Sequence, residues 1–451
     1  MPPVTATSPL ILRWQGLLAE ARSGRLSSQL PLVAGVMLCA LMGWLPQITR
    51  GGLTLMITAC GLLWLVWSLR TRPGGLNAIN GWLLAVLAVA VLATGFSPVP
   101  LAAFQGLMKL VSYLGVYALM RQLLDQAPVW WDRIVAAILA GELLTSVLGI
   151  RQLYGEVGAL ARWSDNNSVA EGTVRIYSSL DNPNLLGGYL LPILPLAVVA
   201  LLRWQGLPRR LFALASLVLG LVALVLTYSR GAWMGMVASL AVLGLLLMVR
   251  YTRAWPPFWR RTLPILLLVV ASLVLVVLIT QVEPLRVRVM SLVAGREDSS
   301  NNFRINVWNS VLQMIRDRPW LGIGPGNSAF NLIYPLYQQP KFNALSAYSI
   351  PLELLVEAGI PGLLVGLGLL WSAFKVGLGQ WACTSRLAMP ALAAVAVFVG
   401  LGVQGLTDTI FFRPEVQLLG LFSLATLSAA GNEAAQRRSW ANGGAHRPWR
   451  D

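Results

Sequence analysis

The sequence predicts an all-α, polytopic integral membrane protein with about twelve transmembrane helices and a large external loop between spans nine and ten. Three observations predict it. Of 451 residues, 56% are hydrophobic and 12% charged, whereas an ordinary soluble domain carries roughly 25% charged residues. Apolar runs close to the ~20 residues that cross a bilayer recur from residue 31 to about 430. The basic residues also fall mainly on one side of those runs, as the positive-inside bias of membrane proteins requires.

Taken in order, residues 1–29 hold no cleavable signal pattern. Leu10, Ile11, Trp14, Leu17 and Leu18 recur at helical spacing beside Arg13, Arg22 and Arg25. That pattern fits an amphipathic helix on the cytoplasmic face as well as it fits a frayed tail. Hydropathy then places spans at 30–46, 52–69, 78–95, 101–122, 133–151, 185–203, 209–228, 231–250, 262–281, 349–374, 387–408 and 413–430. The domains that follow are a cytoplasmic segment 1–29, spans one to nine over 30–281, an external loop 282–348, spans ten to twelve over 349–430, and a cytoplasmic tail 431–451. With both termini cytoplasmic, 20 of the 34 basic residues lie inside and 13 outside, while Lys109 lies within a span. The formal net charge of +16 therefore reports orientation, and no nucleic-acid partner is expected. No internal repeat is legible.

Two external segments exceed simple connections. The first, 152–184, carries RIYSSLDNPNLLGGYL; the second is 282–348. Within the latter, Trp308, Val311, Leu312 and Ile315 follow helical spacing, so NVWNSVLQMIRD reads as an amphipathic helix ending at Pro319, with GIGPGN (322–327) as a turn.

Few residues offer chemistry. The single histidine, His446, lies in the tail, and Cys39, Cys60 and Cys383 fall in apolar segments without ligand spacing. No phosphate-binding GxxxxGK[ST] loop occurs. No metal and no cofactor are expected. Lys109 and Glu142 are ionisable groups inside spans, where each needs a partner or lines a polar path. Gln105, Gln404 and Asp408 are further polar groups for such a path. Arg230, in TYSRGAW, sits at an external turn, where it either snorkels to lipid phosphate or recognises an anionic headgroup. Arg175 and Arg304 lie in the external loops, and the planar guanidinium of all three suits phosphate, pyrophosphate or carbonate-type oxyanions. Asn182 and Asn184, before Gly187 and Gly188, mark either a capped helix start or irregular backbone lining a pocket.

TYSRGAW, FRINVW…IRDRPWLGIGPG and LELLVEAGIPG together resemble the O-antigen ligase and O-antigen polymerase family. RIYSSLDNPNLLGGYL and SAYSIPLELLVEAGIPG place the likeness nearest its cyanobacterial branch named for bicarbonate (inorganic carbon) transport. The resemblance implies a multi-pass protein of the bacterial inner (plasma) membrane whose partners are membrane lipids, a polyprenyl-pyrophosphate-linked glycan donor and a glycan acceptor. It implies metal-independent transfer at the outer face, with Arg230 and Arg304 holding pyrophosphate. The family histidine and its neighbour align with Tyr348 and Ser349, and tyrosine, with a pKa of about 10, is a poor general base. Glu353 and Glu357, on the same segment, stand in for it or serve only as helix-start carboxylates. The branch name implies bicarbonate translocation as the other function.

Overall fold

The computed structural model describes residues 25–71, 74–154, 175–281, 286–287, 290 and 295–441. The amphipathic segment expected at 10–20 lies outside them. Among the described residues are fourteen α-helices and no strand. In chain order they are α1 (Arg25–Trp44), α2 (Arg50–Arg70), α3 (Ala78–Gly95), α4 (Pro100–Gln126), α5 (Trp130–Arg151), α6 (Pro183–Arg203) and α7 (Leu207–Leu226). These are followed by α8 (Arg230–Tyr251), α9 (Pro257–Gln281), α10 (Ser299–Asp317), α11 (Asn327–Ile333), α12 (Ile350–Leu378), α13 (Ala388–Gly405) and α14 (Pro414–Ala441). Nine of them, α2 to α8 with α12 and α13, are long and apolar enough to cross a membrane. α1, α9 and α14 occupy the three other segments that hydropathy marks.

Helices suit this composition because a backbone surrounded by lipid must satisfy its own hydrogen bonds. Polar side chains close the exposed helix starts. Thr49, Asn77, Asn182 and Asp298 each accept from backbone N–H groups in the first turn of α2, α3, α6 and α10. The centre of the bundle is α6 and α13, the two most buried of the nine. α6 packs on α5, α7, α8, α13 and α14, and α13 packs also on α8 and α12. A second, smaller apolar cluster lies apart from this core. It joins Val307, Val311 and Met314 of α10 to Phe330 and Tyr334, to Ala102 and Ala103 of α4, and to Val356 of α12. The 295–349 segment is therefore packed onto the helix ends beneath it.

Helix α10 starts seven residues before the expected pattern and stops at Asp317, ahead of Pro319. Its buried face is also rotated from expectation. Val307, Val311 and Met314 are buried, while Leu312 is exposed. Both readings obey the same three-and-four spacing, so sequence period alone does not choose between adjacent faces.

One spanning helix is broken. α12 leaves helical geometry at Gly359 (φ 65°, ψ −163°), just before Pro361. The 319–326 loop makes up for the lost backbone bonds. Ile323 N–H donates to Val356 O (2.8 Å), Gly324 N–H to Glu357 O (3.0 Å) and Ile360 N–H to Pro319 O (2.9 Å). Irregular backbone of this kind is tolerated at membrane depth only where protein surrounds it.

Candidate functional site

Arg230 is the first residue of α8 and follows Tyr228, which holds a left-handed φ of 49°. That strained turn aims the guanidinium at α10, where Arg230 Nη2 meets Asp298 Oδ1 at 2.9 Å. Both side chains are buried, at 8% and 1% exposure. Asp298 also accepts from Asn301 N–H (3.0 Å), so one carboxylate caps α10 and fixes the arginine. The sequence reading did not single out Asp298. Its signal was there, an aspartate followed by Ser299 and Ser300 directly before an amphipathic helix, which is a helix-start pattern.

Arg304 lies six residues further along α10, and its state is different. Its Nε is buried without a hydrogen bond, and the side chain makes none among the described residues. Burial pulls its pKa down, opposed first by Asp408, with Arg230, Asp298 and Tyr348 also acting on it. Asp408, in the turn between α13 and α14, is buried and accepts from Thr409 N–H (2.8 Å). Burial raises its pKa, opposed by Arg304, by backbone N–H groups and by Arg175. Arg175 donates to Thr227 O (2.9 Å) and to Asn184 Oδ1 (2.7 Å). Arg304 thus lies within electrostatic reach of Arg230 and Asp408, and Asp408 within reach of Arg175.

The remaining expected residues lie around this cluster in distinct roles. Asn182 caps α6 through Asn184 N–H (2.8 Å) and Leu185 N–H (3.2 Å), so this stretch is a regular helix start, and Asn184 steadies Arg175. Gly187 and Gly188 let α6 approach its neighbours, since a Cβ would come within 2.7 Å of Ala232 and 2.4 Å of Ile410. Tyr348 has φ 51° and packs edge-on to Phe303 at 5.3 Å. Burial and then Asp408 push its pKa up against Arg304, so it stays a phenol, a donor and not a base, near neutral pH. Ser349 is buried as the residue before α12. Glu353 is 1% exposed and accepts from Ala347 N–H (2.5 Å), which pins the turn that presents Tyr348.

Glu357 lies elsewhere, in a cavity of about 140 Å³ with Lys109, where Gly326 N–H donates to its Oε1 (2.8 Å). Lys109 and Glu142 have separate partners. Lys109 donates to Phe412 O (3.1 Å), and Glu142 accepts from Ser146 (2.6 Å) and from Ser216. A larger cavity of about 800 Å³ between α2, α3 and α4 is apolar, and the Arg121 beside it is committed to Gly74 O, Gly75 O and Asp125. Among the described residues no group of three His, Cys, Asp or Glu side chains is placed to hold a metal ion.

Three cations, one without a hydrogen bond among the described residues, beside a buried carboxylate and a phenol make a candidate site for an anionic ligand. Residues 215–367 match the family model of O-antigen ligase. The matched stretch is less than half of the chain, and over it the chain is similar to the O-antigen ligase family. The matched stretch contains Arg230, Asp298, Arg304, Tyr348, Glu353 and Glu357, and leaves out Arg175 and Asp408. No curated protein matches the chain.

Proposed function

We propose that the protein is a glycan ligase of the bacterial inner membrane, with twelve spanning helices and both termini cytoplasmic, taking glycan from a polyprenyl-pyrophosphate carrier at the outer face. The observation that carries this reading is Arg304, a half-buried arginine whose Nε is enclosed and whose side chain has no hydrogen bond among the described residues. Leaving a buried charged donor unsatisfied is costly, and a pyrophosphate oxygen would remove that cost. Arg175, held by neutral protein groups, adds charge without needing to reorganise, while the charge of Arg230 is offset by Asp298.

In the transfer, the acceptor hydroxyl oxygen bonds to the anomeric carbon while the bond from that carbon to the pyrophosphate oxygen breaks. The bonding electrons leave with the pyrophosphate, whose growing charge falls on the arginines. The hydroxyl proton passes to a carboxylate, for which Asp408 is the group facing Arg304. Its raised pKa suits a proton acceptor near neutral pH better than an exposed aspartate would. Tyr348, as a phenol, is a donor to the leaving oxygen. Glu353 is a positioning residue, since its carboxylate is committed to Ala347.

Native mass spectrometry of the gently solubilised protein tests the reading. The wild type retains a polyprenyl-pyrophosphate lipid, and Arg304→Ala loses roughly tenfold or more of it, as removal of a hydrogen bond to a charged group of about 1.5–3 kcal/mol implies. Equal retention by both proteins overturns the reading. Bicarbonate translocation would use the same arginines as an oxyanion site. Labelled-bicarbonate uptake by proteoliposomes above that of empty vesicles, with no bound glycan lipid, would put it first.

A further inference from the structure

The apolar cavity of about 800 Å³ between α2, α3 and α4 has no part in the arginine site, which lies toward the other end of the bundle. It exists because the consecutive helices α2 and α3 both pack along α4 and barely touch each other. Glycine sets its floor. A Cβ on Gly115 of α4 would lie 3.2 Å from Gly61 Cα, so α2 and α4 approach closely there, whereas a Cβ on Gly61 meets nothing within 4 Å. The rims are Leu62 and Leu65 of α2 and Leu84 of α3, each more than half exposed. On spanning helices such leucines face lipid tails, which are as apolar as leucine itself, so the gap opens sideways into the bilayer.

Its length points to one kind of occupant. Along α4 the gap runs from Val111 to Gln122, which is about 16 Å at ~1.5 Å per residue and about half of the ~30 Å hydrocarbon core. A helix from a second copy of the chain is about 10–12 Å across and crosses both leaflets, so the gap is too short for it. A lipid of one leaflet has the matching length, and an empty gap would leave its walls without dispersion contacts.

The chemistry changes at one end of the gap. Gly74 and Gly75 line that end, are exposed, and lie between the last turn of α2 and the start of α3, at the membrane surface. Arg121 Nη1 donates to Gly74 O (3.1 Å) and Nη2 to Gly75 O (2.6 Å). The N–H groups of the two glycines make no hydrogen bond among the described residues. With its carbonyls occupied and its donors open, this loop matches a ligand group that only accepts, as a phosphodiester does. Arg121 is the one charged side chain among the lining residues. Asp125 beside it is offset by Arg121 (3.2 Å) and accepts from Asn432 (3.1 Å).

We propose that the gap between α2, α3 and α4 binds one glycerophospholipid of the leaflet on the side of the basic turns, with an acyl chain between the helices and the phosphate at Gly74 and Gly75. The proposal is independent of the ligase reading.

The test uses the full chain in lipid nanodiscs doped with one of two probes that carry the same diazirine-bearing acyl chains, a phosphatidylglycerol or a diacylglycerol that lacks the phosphate. The expected result is labelling of peptides from α2, α3 and α4 by phosphatidylglycerol at several times the diacylglycerol yield. Gly61→Phe, whose ring would fill the gap, should cut that labelling severalfold. Gly244→Phe, on an exposed position of α8 where a Cβ also meets nothing within 4 Å, should leave it unchanged. Equal labelling by the two probes overturns the proposal, as does labelling undiminished in Gly61→Phe. Should Gly61→Phe fail to fold, the two probes on the wild type decide alone. Native mass spectrometry adds a readout without substitution: a monomer retaining one phospholipid supports the site, and a phospholipid-free dimer overturns it in favour of a second copy.

Discussion

Arg230 and Arg304 carry the same group in opposite states, and the difference decides what each is for. Arg230 is neutralised by Asp298 at 2.9 Å, whereas Arg304 has no hydrogen bond among the described residues. Removing one partner of a buried pair leaves the other uncompensated and costs about 3–5 kcal/mol. Arg230→Ala should therefore lower the thermal midpoint of the detergent-solubilised protein markedly, because buried Asp298 would lose its cation. Arg304→Ala should leave that midpoint unchanged or raise it, since no native bond is lost. A midpoint that falls equally in both variants would show that Arg304 is structural. The sequence exposed these arginines because an arginine at an external turn is conspicuous in a chain only 12% charged. It could not show that they converge, since Arg175, Arg230, Arg304 and Asp408 are brought together by four separate elements. Nor did it separate Glu353 from Glu357, which are one helical turn apart and yet hold different backbone groups, Ala347 N–H and Gly326 N–H.

At the scale of elements, the hydrophobic runs were legible because length and apolarity are properties of a continuous stretch of chain. The break in α12 was not. GIGPGN and AGIPG each announce a turn or a kink, but only the fold shows that the first repairs the second. Gly359 makes the point sharply, since its φ is 65° and an added Cβ would lie 2.2 Å from Trp320 O. A left-handed backbone costs an L-residue roughly 1–2 kcal/mol before any clash is counted. Gly359→Ala should lower the thermal midpoint, because the 319–326 loop docks on that break. Gly244→Ala is the matched control. It lies inside α8, a Cβ there meets nothing within 4 Å, and alanine in a helix is favoured by roughly 0.5–1 kcal/mol. A Gly359→Ala protein as stable as Gly244→Ala would mean that the break can be straightened at no cost.

For the whole molecule, orientation decides where the chemistry happens. The arginine cluster, the Lys109 cavity and the 295–349 segment all lie at the same end of the bundle, because the starts of α4, α6, α8, α12 and α14 meet there. The opposite end carries the basic turns, with Arg203, Arg209, Arg210, Arg250, Arg253, Arg260 and Arg261. The positive-inside rule predicts that this end is cytoplasmic, and on the proposed function a donor held by the arginines reaches the outer leaflet before transfer. In a variant whose three native cysteines are replaced by alanine, a cysteine at Gln338 should react with a membrane-impermeant maleimide on intact spheroplasts. A cysteine at Gln205, in the turn between α6 and α7, should react only after permeabilisation. Both positions are exposed, so accessibility to the reagent reports sidedness and not burial. The reverse pattern would put the arginine cluster on the cytoplasmic face, where lipid-linked precursors are assembled on their carrier instead of being consumed, and ligation at the outer face would be impossible for this site.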